Sequence, residues 1–271
     1  MNEPTHRVAI VTGASTGIGR AAAEALRNAG YRVFGTSRRE VSSPSAGITM
    51  LTCDVSDDAS VARLIDDVLA QAGRIDLVVN NAGSGLLGGA EESSIAQARA
   101  LFDVNLFGVM RVTNAVLPVM RRQGCGRIVN LSSVLGLIPQ PFSALYAATK
   151  HALEGYSESL DHELRAFGIR VVLVEPAFTR TAFEANQARP DQPLAIYDAT
   201  RASVDAVMRQ GIEGGDAPEI VAAAIVKAAT DRVPRPRYPA GKMARQVSLL
   251  RRFVPAAAFD KSVRKLNGLP A

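Results

Sequence analysis

Short apolar runs and helix-spaced segments take turns along the first two-thirds of the chain. "RVAIVTG" (residues 7–13) is a β-rich run that stops at a glycine. "GIGRAAAEALRNAG" (17–30) then carries apolar residues at helical spacing up to Gly30, a residue suited to ending a helix. "YRVFGTS" (31–37) and "GITMLTCDV" (47–55) predict two further strands. Asp57 stands where a helix cap belongs, ahead of Val61, Leu64, Ile65, Val68 and Leu69 in a helix through Ala72. "RIDLVVNNAG" (74–83) predicts a fourth strand, and a long helical pattern runs from about Ser94 to Arg122. "GRIVNLSS" (126–133) is a fifth strand, about 144–167 a helix, and "IRVVLVEP" (169–176) a sixth strand. The strands are continuous apolar runs, as strands buried on both faces must be. Together these features predict an α/β fold: a doubly wound parallel sheet in three layers, α/β/α, joined by right-handed crossovers.

Regularity drops after Pro176. "AFTRTAFEANQARPDQPLAIYD" (177–198) is mixed in character and holds two prolines, so 176–215 is read as a substrate loop or lid. Nothing in residues 1–271 marks a second domain, a repeat or a low-complexity tract, and a single domain is expected. With 47% hydrophobic and 21% charged residues the balance is that of an ordinary globular protein. No run is read as a membrane span of ~18–20 apolar residues. The first residues show no signal-peptide core. Cys53 and Cys125 are too few for a disulfide framework and lack metal-ligand spacing. A cytoplasmic protein without a catalytic metal is expected.

The net charge of +5 is unevenly spread: residues 232–271 hold ten Lys/Arg against one acid, Asp260. This basic C-terminal extension has three readings. The first is a helix that closes the substrate pocket and turns its arginines to water. The second is contact of "KMARQVSLLRRF" (242–253) with anionic lipid at a membrane surface. The third is nucleic acid, which ranks last because no binding motif accompanies the charge.

The turn after the first strand, "VTGASTGIGR", sets Gly13, Gly17 and Gly19 where backbone must approach a phosphate and a Cβ would obstruct it. Ser15, Thr16 and Ile18 complete this loop, and the helix that follows points its N-terminal N–H groups at the anion. Glycine at such a turn can also be purely structural. Three of them after the first strand of an alternating chain point instead to a dinucleotide. The end of the second strand discriminates between cofactors. An acid there would bind a ribose 2′-OH; this chain has Ser37, then Arg38 and Arg39, two guanidiniums suited to a 2′-phosphate. NADP(H) is therefore favoured, with NAD(H) as the alternative.

Ser133 ends the fifth strand, and Tyr146 and Lys150 lie one helical turn apart on one face of the next helix. Ligands of parallel sheets sit at the carboxyl ends of the strands, so the three side chains can converge beside a nicotinamide. With "TGASTGIG" (12–19), "CDV" (53–55), "NNAG" (80–83), "NLFG" (105–108), "VNLSS" (129–133) and "YAATK" (146–150), in order over residues 7–180, the chain resembles the short-chain dehydrogenase/reductase family. The stretch "LSSVLGLIPQPFSALYAATKHALEGYSESL" and the later "RPRYPAGK" resemble its hydroxysteroid and retinol dehydrogenase-like branch.

The resemblance implies a Rossmann-type fold and a set of roles. Tyr146 would be the general acid in carbonyl reduction and the base in alcohol oxidation, with Lys150 lowering its pKa and binding the nicotinamide ribose. Ser133 would hydrogen-bond the substrate oxygen, and Asn105 would help hold a water linking Lys150 to solvent. Asp54 and Val55 would meet the adenine. Asn81, Ala82 and Gly83 would lie along the adenosine ribose, and Thr179 and Thr181, after Pro176, near the carboxamide. Ala177 departs from the family's Pro-Gly and puts that loop's shape in question. The resemblance also implies a homodimer or homotetramer, formed through the apolar helices near 96–122 and 144–167.

The expected substrate is a small hydrophobic alcohol or ketone, steroid-, retinoid- or lipid-like, in a pocket lined by Leu135, Phe142, Phe178 and Phe183. A 3-oxoacyl-thioester reductase is the rival within enzymes, and a non-catalytic dinucleotide-binding sensor or scaffold the rival outside them. His151 is read as a packing or interface residue rather than a second acid–base group.

Overall fold

The computed structural model describes residues 6–41, 45–183 and 186–269. Residues 184–185 of the expected lid segment and the last two residues of the basic tail lie outside the described residues. Seven parallel strands form one sheet in the order β3-β2-β1-β4-β5-β6-β7. They are β1 (Arg7–Val11), β2 (Tyr31–Ser37), β3 (Ile48–Thr52), β4 (Leu77–Asn80), β5 (Gly126–Leu131), β6 (Ile169–Pro176) and β7 (Arg237–Ala240). The order reverses direction between β1 and β4, which opens a crevice at the strand ends there. Six strands match the sequence reading. The seventh escapes it because "RYPA" has four residues, one of them proline, and no apolar run.

The helices are α1 (Gly17–Asn28), α2 (Asp58–Ala72), α3 (Ile95–Phe102), α4 (Gly108–Gln123), α5 (Ala144–Leu164), α6 (Asp198–Glu213), α7 (Pro218–Thr230), α8 (Gly241–Phe253) and α9 (Ala256–Leu266). Alternate strand residues serve opposite faces. Ala9 and Val11 pack with Leu26 of α1 and Ile225 of α7, whereas Val8 and Ile10 pack with Leu64 of α2 and Val116 of α4. Asp57 caps α2 as predicted, its carboxylate accepting from the Ser60 N–H at 2.5 Å.

The long helix expected from Ser94 is interrupted. A π-helical turn over Asp103–Phe107 separates α3 from α4 and carries Asn105, which is buried. The stretch Ile95–Gln123 is long and apolar enough to cross a membrane, contrary to the expectation of no such run. Half of that apolar window is buried inside the fold, with Val112, Val116 and Met120 in the core.

α5 is fixed to β6 by one buried carboxylate. Asp161 accepts from Arg170 at 2.8 Å, from Arg165 at 2.6 Å and from the Val171 backbone N–H at 2.9 Å. Burial alone would raise its pKa, but the hydrogen bonds from Arg170, Arg165 and Val171 outweigh it and hold the carboxyl below its usual range. A depressed carboxylate contributes stability that is present above its unfolded pKa and lost as pH falls through the folded one. Asp161→Asn leaves two guanidiniums without their partner and should cost about 3 kcal/mol at neutral pH, with a smaller difference in acid. Urea denaturation of both proteins at pH 7 and pH 4 checks this; equal stability at pH 7 contradicts it.

Candidate active site

The crevice at the strand ends deepens into a cavity of about 910 Å³. Its first half is built on the glycine turn. Gly17 adopts a left-handed conformation (φ +55°) that a side chain would strain. Gly19 has no room for a Cβ, which would stand 2.2 Å from the Gly13 carbonyl oxygen and 2.4 Å from Asn81 Nδ2. No side chain caps the N-terminus of α1 and no acid lies in its first turn, so that positive helix end is left to an anion.

Two residues that the motif reading did not single out for this task hold the turn. Thr12 Oγ1 accepts from the N–H groups of Asn81 and Ala82 at 3.0 and 2.9 Å, and the Asn81 amide donates back to the Thr12 and Gly13 carbonyls. The end of β1 is thus tied to the end of β4. Every cofactor residue expected from the sequence lines the cavity, from Ser15, Thr16 and Ile18 through Asp54 and Val55 to Thr179 and Thr181. Ser37, Arg38 and Arg39 line it too, and among the described residues neither arginine sits in an ion pair. Ala177 has an ordinary backbone: Phe142 is the one described non-glycine residue with positive φ, so the missing glycine costs no strain here.

The chemical groups stand at the junction with the second half. Lys150 is buried; its Nζ donates to the Leu131 carbonyl at 2.8 Å and lies 5.6 Å from the centre of the Tyr146 ring. Burial pushes its pKa down to about 8, against a smaller opposing effect of the Glu154 charge. Ser133 starts a 3₁₀ turn, and its Oγ accepts from the Leu135 N–H at 3.1 Å. That bond uses a lone pair, so the hydroxyl proton is left to donate. Asn105 is placed differently from the other three. It does not line the cavity; its amide grips the Ser84 backbone through both Oδ1 and Nδ2, at 2.9 Å each, and donates to Thr149 Oγ1 at 3.2 Å. His151 is exposed and bonded to the Ala147 carbonyl of its own helix.

The second half is mostly apolar. Leu135, Phe178 and Phe183 line it as expected, with the Phe183 ring 6.1 Å from that of Tyr146. Phe142 does not. Its ring turns edge-on to Tyr197 at 5.7 Å and packs behind the wall with Leu87, Val204 and Met208. The remaining wall includes Met208 of α6, inside the expected 176–215 segment, and Met243 and Val247 of α8 with Val263 and Leu266 of α9, in the basic extension that the first of its three readings places over the substrate pocket. On α8 and α9 these wall residues stand four and three apart, which puts each pair on one helix face. Arg251 anchors α8 to the Leu137 carbonyl, and Gln140 donates to Asn267 just beyond α9. Leu249, Leu250 and Phe253 of α8 are exposed.

A phosphate-sized cradle at the switch point of a doubly wound sheet, with a Tyr–Lys pair beside it, defines a dinucleotide-binding oxidoreductase. The chain belongs to the short-chain dehydrogenase/reductase family and is an NAD(P)-dependent oxidoreductase: the family model described as short chain dehydrogenase matches residues 7–192. A 3-ketodihydrosphingosine reductase of Bacteroides thetaiotaomicron is 38% identical over 181 residues, 67% of each chain. Human retinol dehydrogenase 8 is 40% identical over 191 residues, 66% of this chain and 60% of that one. Among solved structures, a short-chain dehydrogenase of Streptomyces avermitilis superposes with a TM-score of 0.81 at 34% identity, covering 98% of this chain and 96% of that one. A family member of Burkholderia phymatum in complex with NAD gives a TM-score of 0.75 at 29% identity, over 88% and 90% of the two chains.

The Gly19 contact is open to a direct test. Gly19→Ala should weaken binding of the nicotinamide dinucleotide, NADPH or NADH, by at least about tenfold, since its methyl must displace the Gly13 carbonyl or the Asn81 amide that shape the cradle. Fluorescence titration of the folded variant checks this, and unchanged affinity contradicts it.

Proposed function

We propose that the protein transfers hydride between NADP(H) and a hydrophobic secondary alcohol or ketone, steroid-, retinoid- or lipid-like, with Tyr146 as proton donor and acceptor. The observation that carries the reading is the place of Tyr146, between the glycine-turn half of the cavity and an apolar half, with the buried Lys150 ammonium behind its ring. The bound nicotinamide would supply or accept the hydride. The glycine cradle and the open end of α1 fit its pyrophosphate, and Arg38 and Arg39 fit a 2′-phosphate.

Lys150 has one of its three protons on the Leu131 carbonyl, which fixes its head and leaves the others for a ribose hydroxyl. Its positive charge favours the Tyr146 phenolate, bringing a phenol of ordinary pKa about 10 toward neutrality. Ser133 donates to the substrate oxygen and steadies the charge that develops there. Asn105 contributes by locking the Ser84 backbone beside Gly83 and the Thr149 hydroxyl on α5. The names of the Bacteroides reductase and the human retinol dehydrogenase support a lipid-like substrate, as does the wall from α8 and α9. That wall also weighs against the thioester-reductase alternative, whose compact members typically lack such a tail.

Tyr146→Phe should lower turnover by about 10³-fold or more while NADPH affinity stays within a few-fold. Absorbance at 340 nm across a panel of hydrophobic ketones, with binding read separately, checks this. Retained turnover refutes the role, and tight NADPH binding with no turnover in the unmutated protein favours the sensor. Removing both guanidiniums (Arg38→Ala with Arg39→Ala) should weaken NADPH by about tenfold or more and leave NADH nearly unchanged; equal losses for both cofactors contradict the NADP(H) preference.

A further inference from the structure

Behind Lys150 lies a buried charge cluster that the reaction as described does not use. Glu154 is one helical turn beyond Lys150 on the same face of α5, and 4% exposed. β6 and β7 bring the rest. Arg237 pairs with Leu173 in register, so Arg237 and Glu175 face the same side of the sheet, toward α5. Arg237 Nε stands 2.9 Å from Glu154 and 3.1 Å from Glu175, and its Nη1 stands 2.5 Å from Glu158. One guanidinium therefore serves three carboxylates.

The three are not equivalent. Glu158 is the most exposed. Glu175 is fully buried, and neither of its oxygens receives a hydrogen bond from the described residues. Glu154 receives one at Oε2 from Arg237, while its Oε1 has no hydrogen-bond partner among the described residues. A buried carboxylate without a donor takes up a proton. Burial, aided by the neighbouring Glu154 charge and only partly offset by Arg237, pushes Glu175 up to about 8. Burial also raises Glu154, but there Ser132 and Arg237 act in the other direction. Of the two buried carboxylates, Glu154 is the one with a hydrogen bond that favours its charged form.

We propose that Glu154, held by Arg237 one helical turn from Lys150, is a positioning residue that keeps Lys150 in its ammonium form inside the fold. The proposal rests on the reading of Tyr146 and Lys150 as the acid–base pair. The charged and titratable groups that face Glu154 are Lys150 and Glu158 from its own helix, Glu175 from β6 and Arg237 from β7. Lys150, one turn back on the same helix face, is the buried cation whose charge Glu154 favours. A neutral Glu154 leaves only the Leu131 carbonyl to hold the Lys150 ammonium against burial, and its proton leaves at lower pH.

The test reads Lys150 directly. The chain has five lysines, so their side-chain NMR signals are few, and Lys150→Arg identifies the one in question. Glu154→Gln should lower the Lys150 titration midpoint by at least about one pH unit, and the alkaline limb of ketone reduction should move down with it. Glu154→Asp, which retains the charge, should restore most of both. Glu154→Met provides a second neutral replacement should the glutamine variant not fold. A lost side-chain packing contact alone would lower the rate without moving either midpoint. An unmoved Lys150 midpoint in a folded neutral variant overturns the proposal. This titration needs no substrate, so it rejects the Glu154 role whatever the reaction is, whereas failure of the acid–base reading shows separately in the Tyr146→Phe assay.

Discussion

A cation that must stay charged inside the protein governs this site. Lys150 is buried, and burial works against its ammonium. The fold answers with an acceptor at the end of β5, the Leu131 carbonyl, and with a carboxylate one turn along α5. The first depends on α5 lying at one height against the sheet, which the Asp161 anchor on β6 helps to set. Displacing the helix by one turn would separate Lys150 from Leu131 and Tyr146 from the cavity together. The chemistry is thus bound to the same contacts that pack the domain.

The cavity divides by origin. Its cofactor half comes from strand ends and the turns directly after them, where parallel strands open their carboxyl ends and helix N-termini supply positive potential. Its apolar half comes from α6, α8, α9 and the irregular chain before them. The first half is built around the glycine-turn backbone, with Arg38 and Arg39 at its edge. The second is built from Met, Val, Leu and Phe side chains, whose replacement changes the room available without disturbing the cradle. Substrate choice can therefore drift while cofactor binding stays fixed.

The same division explains what could be read in advance. The glycine turn, the Tyr–Lys spacing and the apolar strands are local patterns, each produced by one short stretch, and the structure places all of them where the pattern predicts. β7 was not legible, because four residues with a proline carry no periodic signal and pair only once β6 is in place. Phe142 is expected in the pocket, yet its backbone is left-handed and its ring packs edge-on against Tyr197. The Glu154–Arg237–Glu175 cluster joins residues up to 83 positions apart. On α5 alone Glu154 reads as one more polar helix residue. The tie between Thr12 and Asn81 is likewise visible only once β1 and β4 lie side by side.

Hydride transfer to a hydrophobic carbonyl is tested most directly by isotope tracing. The protein would be incubated with NADPH carrying deuterium at the transferring carbon, and with lipid-like ketones, and the products examined by mass spectrometry. The account predicts an alcohol with one deuterium on the former carbonyl carbon. Tight NADPH binding with no deuterium in any product, across steroid, retinoid and long-chain ketones, would contradict it.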